Sequence, residues 1–316
     1  RVPSFSVRSF FQLSSKGWGR AILNSSVTLK PMTKKHRLFP ILGSLLTLVS
    51  LSCATSGGEN ANTSSDLVSG DCGPSTSTPV PAPIANDGAS FVPQTSSNTV
   101  RVMTFNIKHG EIGGLEGLAE TINKESPSLV ALQEVDVEAT RSGNVDQPHR
   151  LGQLTGMTNL FRTALTLSAG GSYGVALLSR FPILSSEVVK LTSSTEQRIT
   201  AFITIQLPGK QVEVAVSHLD LDDPIKKTQG QEILAKFKDP ATAILMGDMN
   251  AEPDESPIPE FSAVFRDSWK EAGQGDGFTI PVAKPNRRID YIFVGKNWGA
   301  ISEPHIPSST ASDHLP

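Results

Sequence analysis

The sequence predicts a single α/β or α+β domain over residues 99–316, with sheets packed face to face and helices on the outside. Two observations support this fold class. Short apolar or alternating segments typical of strands recur along the region, and segments with helical spacing lie between them. The region contains no internal repeat, so we treat it as one domain.

The predicted elements follow from the spacing of the apolar residues. Val100–Phe105 alternates as a strand does, and Leu115–Asn123 carries apolar residues on one face of a helix. Leu129–Leu132 is a short, fully apolar run, as expected of a strand that is covered on both faces. A second helix is predicted at Pro224–Phe237. The remaining predicted strands are Gly174–Leu178, Thr200–Gln206, Val212–Val216, Ala243–Met246 and Ile289–Val294.

The first 98 residues are predicted to lie outside this domain. Residues 1–31 precede a start at Met32, and we expect them to be upstream translation that takes no part in the fold. Residues 32–53 have the form of a signal peptide, because a basic segment precedes an apolar stretch that is too short for a membrane span. Residues 54–98 are rich in small and polar residues, which predicts a disordered tether.

Cys53 follows small residues at the end of the apolar stretch, as the lipidated cysteine of a bacterial lipoprotein does. Ser50 and Leu51 stand in the reverse of the usual order, so cleaved secretion and an uncleaved anchor stay open as alternatives. We expect the protein at the bacterial cell envelope, or secreted into the periplasm or beyond. The other cysteine, Cys72, lies in the predicted tether, so the folded domain offers no thiol nucleophile and no cysteine ligand for zinc.

The charges are unevenly distributed along the chain. Eight of the 28 basic residues and none of the 31 acidic ones precede Glu59, which leaves a balance of −11 for the rest. An acidic body repels polyphosphate backbones at long range. We therefore expect no stable complex with nucleic acid, and we expect a monomer.

Several polar side chains follow directly after predicted strands, and we expect them to converge at one edge of the sandwich. They are Asn106, Glu134, His218, Asp248 and Asn250.

Glu134 is the leading candidate for a metal ligand, because it ends an apolar strand where a charge needs a partner. Mg²⁺ prefers oxygen ligands and keeps several waters, so one or two carboxylates and a substrate phosphate suffice. Asn106 and Asp313 could complete the set. The alternative is that Glu134 caps the strand and pairs with Arg141.

Asp248 and Asn250 form an Asp-x-Asn sequence after a buried strand. If the strand geometry continues, both side chains point the same way, so the carboxylate could hold a water and the amide could donate to a phosphoryl oxygen. The competing interpretation is an ordinary turn, because Asp and Asn initiate turns.

Two histidines are candidates for catalysis. Asp290 could accept from one ring nitrogen of His314 and so fix its tautomer. His218 could donate to a phosphoryl oxygen or a leaving group. The sequence contains neither a His-Glu-x-x-His zinc motif nor the glycine-lysine loop that cradles nucleotide phosphates, which excludes those two classes of enzyme.

In their order along the chain, seven motifs resemble those of the endonuclease/exonuclease/phosphatase (DNase I-like) superfamily, in particular a small secreted bacterial branch. They are Met103–Asn106, Leu132–Asp136, Tyr173–Arg180, Ser217–Leu219, Gly247–Ala251, Arg288–Tyr291 and Ser312–Pro316.

This resemblance implies a four-layered sandwich of two packed mixed β-sheets flanked by helices. It also implies hydrolysis of phosphoesters that depends on Mg²⁺, with Mn²⁺ as a possible substitute. Glu134 would be the principal metal ligand, with Asn106 and Asp313 assisting. Asp248 would orient the attacking water.

Two further groups of residues are implied by the resemblance. The catalytic group, in which Asn250 and His218 contact the phosphate, comprises His218, Asp248, Asn250, Asp290 and His314. The substrate-binding group comprises Tyr173 and Arg180, and we add Arg141 as a further candidate for substrate binding. Val175 departs from the pattern, since many members carry Asn after the Tyr-Gly pair, and this weakens the expected substrate contacts.

We expect the substrate to be a phosphodiester of a lipid head group or of a small extracellular molecule. The acidic body and the envelope signal favour this class, and no basic groove interleaved with aromatic residues points to DNA. A nuclease acting on DNA or RNA, a phosphomonoesterase and a non-catalytic binding protein are the alternatives. The sequence ends at Pro316, and we expect a further strand beyond it to hold Asp313 and His314 in register.

Overall fold

Two mixed β-sheets form the centre of the protein in the computed structural model, which describes residues 99–316. The first sheet has the order β1-β2-β4-β3, with β1 at Val102–Asn106, β2 at Leu129–Val137, β3 at Thr158–Thr166 and β4 at Ser172–Ser179. The second has the order β5-β6-β7-β8-β10-β9. Its strands are β5 at Ile183–Lys190, β6 at Ile199–Leu207, β7 at Lys210–His218, β8 at Ile244–Asp248, β9 at Arg266–Asp267 and β10 at Asp290–Val294. Only β1 with β2 and β7 with β8 pair in parallel among these strands.

Five α-helices and two short 3-10 turns complete the described part of the chain. The helices are α1 at Gly114–Glu125, α2 at Gln147–Thr155, α3 at Asp223–Lys236, α4 at Ile258–Val264 and α5 at Ser268–Ala272. The 3-10 turns, at Lys108–Gly110 and Thr140–Ser142, follow β1 and β2.

Alternating side chains of β2 explain why its sequence is apolar without a break. Leu129 and Ala131 pack into the core between the two sheets, whereas Val130 and Leu132 pack against α1 and α2 on the outer face. The second sheet is covered on its outer face by α3 and α4, through residues such as Ile233 and Phe261. Helices and sheets therefore form four layers, and the predicted fold class is confirmed.

The predicted elements are all present, with bounds that differ by a few residues, but β3, β5, β9, α2, α4 and α5 were not predicted. β5 lies at the edge of its sheet, and most of its residues are exposed, so its sequence lacks a strong apolar pattern. α2 begins with the same signal as α3, an Asp at the N-cap and a Pro in the first turn. That signal at Asp146 could have revealed α2.

The predicted upstream segment, signal peptide and tether, with Cys53 and Cys72, lie outside the described residues. Within residues 99–316, no helix is both long enough and apolar enough to cross a membrane.

Candidate active site

Three polar side chains form a row across the end of the second sheet. His218 lies opposite Asp248 in the parallel pairing of β7 with β8, and Asp290 lies opposite Asp248 in the antiparallel pairing of β8 with β10. Residues in register on adjacent strands point to the same face of a sheet, so the three side chains lie side by side. All three are buried. Each belongs to a strand, whereas the sequence had placed His218 and Asp248 just beyond one.

Gly247 allows β7 and β8 to approach closely beside this row. Its φ is +153°, and a Cβ there would lie 2.0 Å from the carbonyl oxygen of Ser217. The Gly-Asp pair at 247–248 is therefore explained by packing as well as by chemistry.

His314 lies over the same row at the end of the chain. Its Nδ1 is 2.9 Å from Oδ2 of Asp290, and its Nε2 is 3.8 Å from Oδ2 of Asp248. The backbone N–H of Leu315 donates to the carbonyl oxygen of Thr279 at 2.8 Å, and the Thr279 hydroxyl donates to Asp290 at 2.6 Å. Among the described residues, these contacts fix the position of His314 at the site.

The two histidines have opposite charge preferences. Burial lowers the pKa of His314, but the carboxylates of Asp290 and Asp248 outweigh it and raise that pKa to about 10. Burial lowers the pKa of His218 well below its ordinary value, and Arg198 and His314 lower it further. At neutral pH, His314 is therefore a cation and His218 is neutral.

Asp248 lies between these imidazoles. Burial and the neighbouring Asp290 carboxylate raise the pKa of Asp248 to about 7, against the opposing effect of His314. This carboxyl group is therefore able to gain and lose a proton near neutral pH.

Asn106 connects the two sheets at the site. Its amide nitrogen donates to Oε1 of Glu134 and to Oδ2 of Asp248, both at 3.0 Å, and its oxygen accepts from the backbone N–H of Lys108 at 3.1 Å. The sequence predicted a metal ligand here. In the structure, Asn106 orients the two carboxylates by hydrogen bonds, with its oxygen toward Lys108 and its amino group toward the acids. Its role as a metal ligand stays a prediction.

Glu134 lies at an irregularity in β2 where the pairing with β4 shifts between Leu132 and Val135. Its φ is +55°, which is rare for a residue with a side chain and costs about 1–3 kcal/mol. Such bulges redirect a side chain. The alternative pairing with Arg141 is not present, because Arg141 donates two 2.8 Å hydrogen bonds to the carboxylate of Asp136.

Glu134 and Asp313 offer carboxylate oxygens, the ligand type that a hard divalent cation such as Mg²⁺ or Mn²⁺ prefers. The Nζ atom of Lys108 lies 3.1 Å from Oδ2 of Asp313. Its pKa is raised mainly by the hydrogen bond to Asp313, and Glu134 adds to the effect. The two carboxylates thus already create a place that favours positive charge.

A second group could hold a metal by distance alone. One ligand atom from each of Asp248, Asp290 and His314 lies within 4.8 Å of the others. In His314, Nδ1 faces Asp290, which leaves Nε2, 3.8 Å from Oδ2 of Asp248, as the ring atom that could bind a metal. Glu134 and Asp313 offer oxygen atoms only, which a hard cation prefers to a ring nitrogen.

Asn250 adopts a turn conformation, with a φ of +46°. Its backbone N–H donates to Oδ1 of Asp248 at 2.9 Å, and its side-chain amide donates to the carbonyl oxygen of Leu219 at 3.0 Å. Lys226, a buried lysine, donates to the Asn250 carbonyl oxygen at 2.6 Å. The expectation that strand alternation aligns Asp248 and Asn250 is therefore wrong, since the turn begins between them.

The three predicted substrate-binding residues are not brought together. The Arg141 guanidinium lies 5.2 Å from the centre of the Tyr173 ring, near the strand ends that carry the site. Arg180 lies beyond the opposite end of β4, seven residues from Tyr173, or roughly 23 Å along an extended strand. Its guanidinium donates to the carbonyl oxygen of Pro127. The assignment of Arg180 is corrected accordingly. Val175 packs in the core between the sheets.

Comparison with known proteins identifies the family. The model of the Endonuclease/Exonuclease/phosphatase family matches residues 103–314, which include every site residue described above. The chain belongs to this family. It is a hydrolase of the kind whose members cleave phosphoesters with the help of a metal ion.

Several solved structures share the fold. An endonuclease/exonuclease/phosphatase from Beutenbergia cavernae has a TM-score of 0.60 and 24% identity, over 68% of this chain and 69% of that one. A family protein from Leptotrichia buccalis has a TM-score of 0.53 and 20% identity, over 69% and 97%. The human nocturnin catalytic domain with bound sulfate has a TM-score of 0.50 and 24% identity, over 68% and 90%. A search of curated proteins gives no match.

Two cationic residues at the site were not predicted from the sequence. Lys108 stands two residues after Asn106, and Arg198 stands directly before β6. Both look like ordinary surface cations in the sequence. Their partners at the site, Asp313 for Lys108 and His218 for Arg198, are at least 20 residues away along the chain, and only the fold shows that Arg198 is buried. No local pattern signals either role.

Gly170–Gly174 has the Gly-x-Ser-x-Gly spacing of a serine-hydrolase nucleophile, but the structure argues against that role. Ser172 begins β4 and pairs with Val137 and Thr166 of the neighbouring strands. A nucleophile elbow requires a turn from a strand into a helix. The family assignment and the strand geometry agree.

Proposed function

We propose that this hydrolase is a Mg²⁺-dependent phosphodiesterase acting on a lipid head group or a small extracellular phosphodiester. The observation that carries the proposal is the 3.0 Å hydrogen bond from Asn106 to Asp248, which joins the Glu134 carboxylate to the row of His218, Asp248 and Asp290. Residues 142 positions apart are thereby assembled into one site with oxygen ligands, a proton acceptor and two imidazoles.

The roles follow from the protonation states. A divalent cation bound by Glu134 and Asp313 would polarise a phosphoryl oxygen and offset negative charge. Asp248 orients a water and accepts its proton as the water attacks phosphorus, and a pKa of about 7 suits that task. His218 donates from Nε2 to a phosphoryl oxygen. The His314 cation, aligned by Asp290, stabilises the charge that develops on the phosphoryl group.

The surface around the site supports a lipid or small-molecule substrate over nucleic acid. Leu221, three residues after His218, and Ile112, on the segment that follows β1, are 73% and 50% exposed. Exposed apolar side chains so close along the chain to site residues suit contact with a lipid surface. The cations nearby are paired with acids, so they do not form a continuous basic track: Lys108 with Asp313, Arg141 with Asp136 and Arg198 with Glu196.

The purified protein is expected to hydrolyse bis(p-nitrophenyl) phosphate with Mg²⁺ or Mn²⁺ and to hydrolyse p-nitrophenyl phosphate more slowly. EDTA should abolish the activity and excess metal should restore it, because the charge that develops on the phosphoryl group needs the cation. A panel of phosphatidylinositol, sphingomyelin, sugar phosphates and plasmid DNA then separates the classes. Cleavage of DNA alone would replace our proposal by the nuclease alternative, and activity that survives EDTA would contradict the metal site.

We also propose that the hydrolase is a monomeric bacterial lipoprotein anchored through Cys53 and exposed at the cell envelope, which would bring the site close to a membrane. The support is the sequence signal at residues 32–53. The wild-type protein should fractionate with membranes, and Cys53→Ser should release it, because the thiol that carries the lipid is lost. Cys72→Ser is the matched control and should stay with membranes. A Cys53→Ser protein that remains membrane-bound would contradict the proposal.

A further inference from the structure

Arg198 is a buried cation at the site for which the proposed reaction has no role so far. It lies directly before β6 and is 8% exposed. Its NH1 atom lies 3.1 Å from Nδ1 of His218 and 3.5 Å from the hydroxyl of Tyr173. Its NH2 atom lies 3.3 Å from the carboxylate of Glu196. Arg198 therefore connects His218 of the second sheet with Tyr173 of the first.

The chemistry of this contact determines which nitrogen of His218 carries hydrogen. A guanidinium group donates hydrogen bonds and accepts none. Nδ1 of His218 must therefore be the acceptor, and in a neutral ring the single hydrogen is on Nε2. Nε2 lies 3.6 Å from Oδ2 of Asp248, so this N–H points toward the centre of the site.

We propose that Arg198 is a positioning residue that holds His218 as the neutral tautomer with hydrogen on Nε2, ready to donate to the phosphoryl group. The inference rests on the proposed function for the identity of the acceptor. It assigns His218 as a permanent donor and leaves proton acceptance to Asp248.

The surroundings of the two histidines support different tasks. His314 faces the Asp290 carboxylate, which favours a charged ring, whereas His218 faces a guanidinium, which favours a neutral one. The other charged groups near His218 are Asp248 and His314. Glu196, an acidic partner of Arg198, is half exposed, so it screens the Arg198 charge only in part.

Arg198 is not placed for stability alone. Its Nε atom is buried and has no hydrogen-bond partner among the described residues. An unpaired buried donor costs free energy, which a residue selected only for packing would avoid. Violations of this kind are expected at functional sites.

The tautomer can be measured directly by ¹⁵N–¹H correlation NMR of the histidine rings in the full-length protein, without metal or substrate. The signals of His218 are identified by their loss in His218→Gln. In the wild type we expect Nδ1 without hydrogen and Nε2 with hydrogen. In Arg198→Met, which removes the donor but keeps an unbranched side chain, we expect hydrogen on Nδ1 in part of the molecules.

Activity provides the second measurement. Arg198→Met should lower kcat by about 10- to 100-fold, as is typical when the partner that orients a functional imidazole is removed, with a smaller effect on KM. Arg198→Lys should keep the wild-type tautomer, because an ammonium group also only donates. Arg180→Met is the matched control, since it removes a guanidinium that donates to backbone carbonyls far from the site. It should change neither the tautomer nor kcat.

Three results would overturn the proposal. They are hydrogen on Nδ1 in the wild type, hydrogen on Nδ1 in a folded Arg198→Lys protein, and an unchanged tautomer in Arg198→Met. If the protein cleaves no phosphoester while the NMR result is as expected, only the proposed function is contradicted, because the tautomer is measured without substrate.

Discussion

Replacing Glu134 by Ala is expected to abolish metal binding and to lower kcat/KM by about 10³-fold or more. A catalytic metal supplies several kcal/mol of transition-state stabilisation, and about 1.4 kcal/mol corresponds to a factor of ten. Glu134 is the carboxylate that the irregularity in β2 and a φ of +55° direct into the site. Mn²⁺ binding by electron paramagnetic resonance and the rate on bis(p-nitrophenyl) phosphate would be measured together.

Glu138 provides a matched control for this experiment. It is an exposed glutamate four residues further along the chain, and its φ of +52° matches that of Glu134. Glu138→Ala therefore makes the same chemical change in the same backbone conformation but outside the site. It should leave Mn²⁺ binding and the rate unchanged. A Glu134→Ala protein that still binds Mn²⁺ like the wild type would show that the cation lies elsewhere, with the group at Asp248, Asp290 and His314 as the next candidate.

Replacing Asp290 by Asn is expected to lower kcat by about 10²- to 10⁴-fold and to shift the alkaline limit of activity to lower pH. Asp290 is 2.9 Å from Nδ1 of His314 and is the largest of the influences that raise the pKa of that histidine to about 10. In the wild type, activity that needs the His314 cation is lost as the pH rises through about 10. Without the Asp290 charge, the pKa of His314 falls toward its ordinary value of about 6.5.

The contact between Asp290 and His314 also predicts how the free energy of unfolding changes with pH, because it raises the pKa of His314. The free energy that the protonated His314 contributes is fully present below pH 6.5, the ordinary pKa, and is lost as the pH rises through about 10. Urea unfolding at a series of pH values should show this loss in the wild type and much less of it in Asp290→Asn. Asp276→Asn makes the same change at an exposed position and should behave as the wild type. For activity, the contradicting outcome is an Asp290→Asn protein that keeps the wild-type alkaline pH limit of kcat, since His314 would then have no part in the mechanism.

The alternation and apolar runs of the sequence were sufficient to predict the layers of the fold and most of its strands. β2 illustrates why, since a strand that is buried on both faces must be apolar at every position. Edge strand β5 has most of its side chains in solvent, so its sequence need not be apolar and shows no strand pattern. The ordered motifs also pointed to the family that the match over residues 103–314 shows.

The sequence by itself determined which residue types are available for chemistry. Most of the motifs lie on or beside a segment whose apolar pattern already predicts a strand. The tertiary structure alone decided which of them meet. Asn106 bridges two carboxylates, Arg198 contacts His218 and Arg180 lies far from the site, since these contacts depend on strand register and on the packing of two sheets. Register and packing are set by interactions between distant parts of the chain, which a local pattern does not contain.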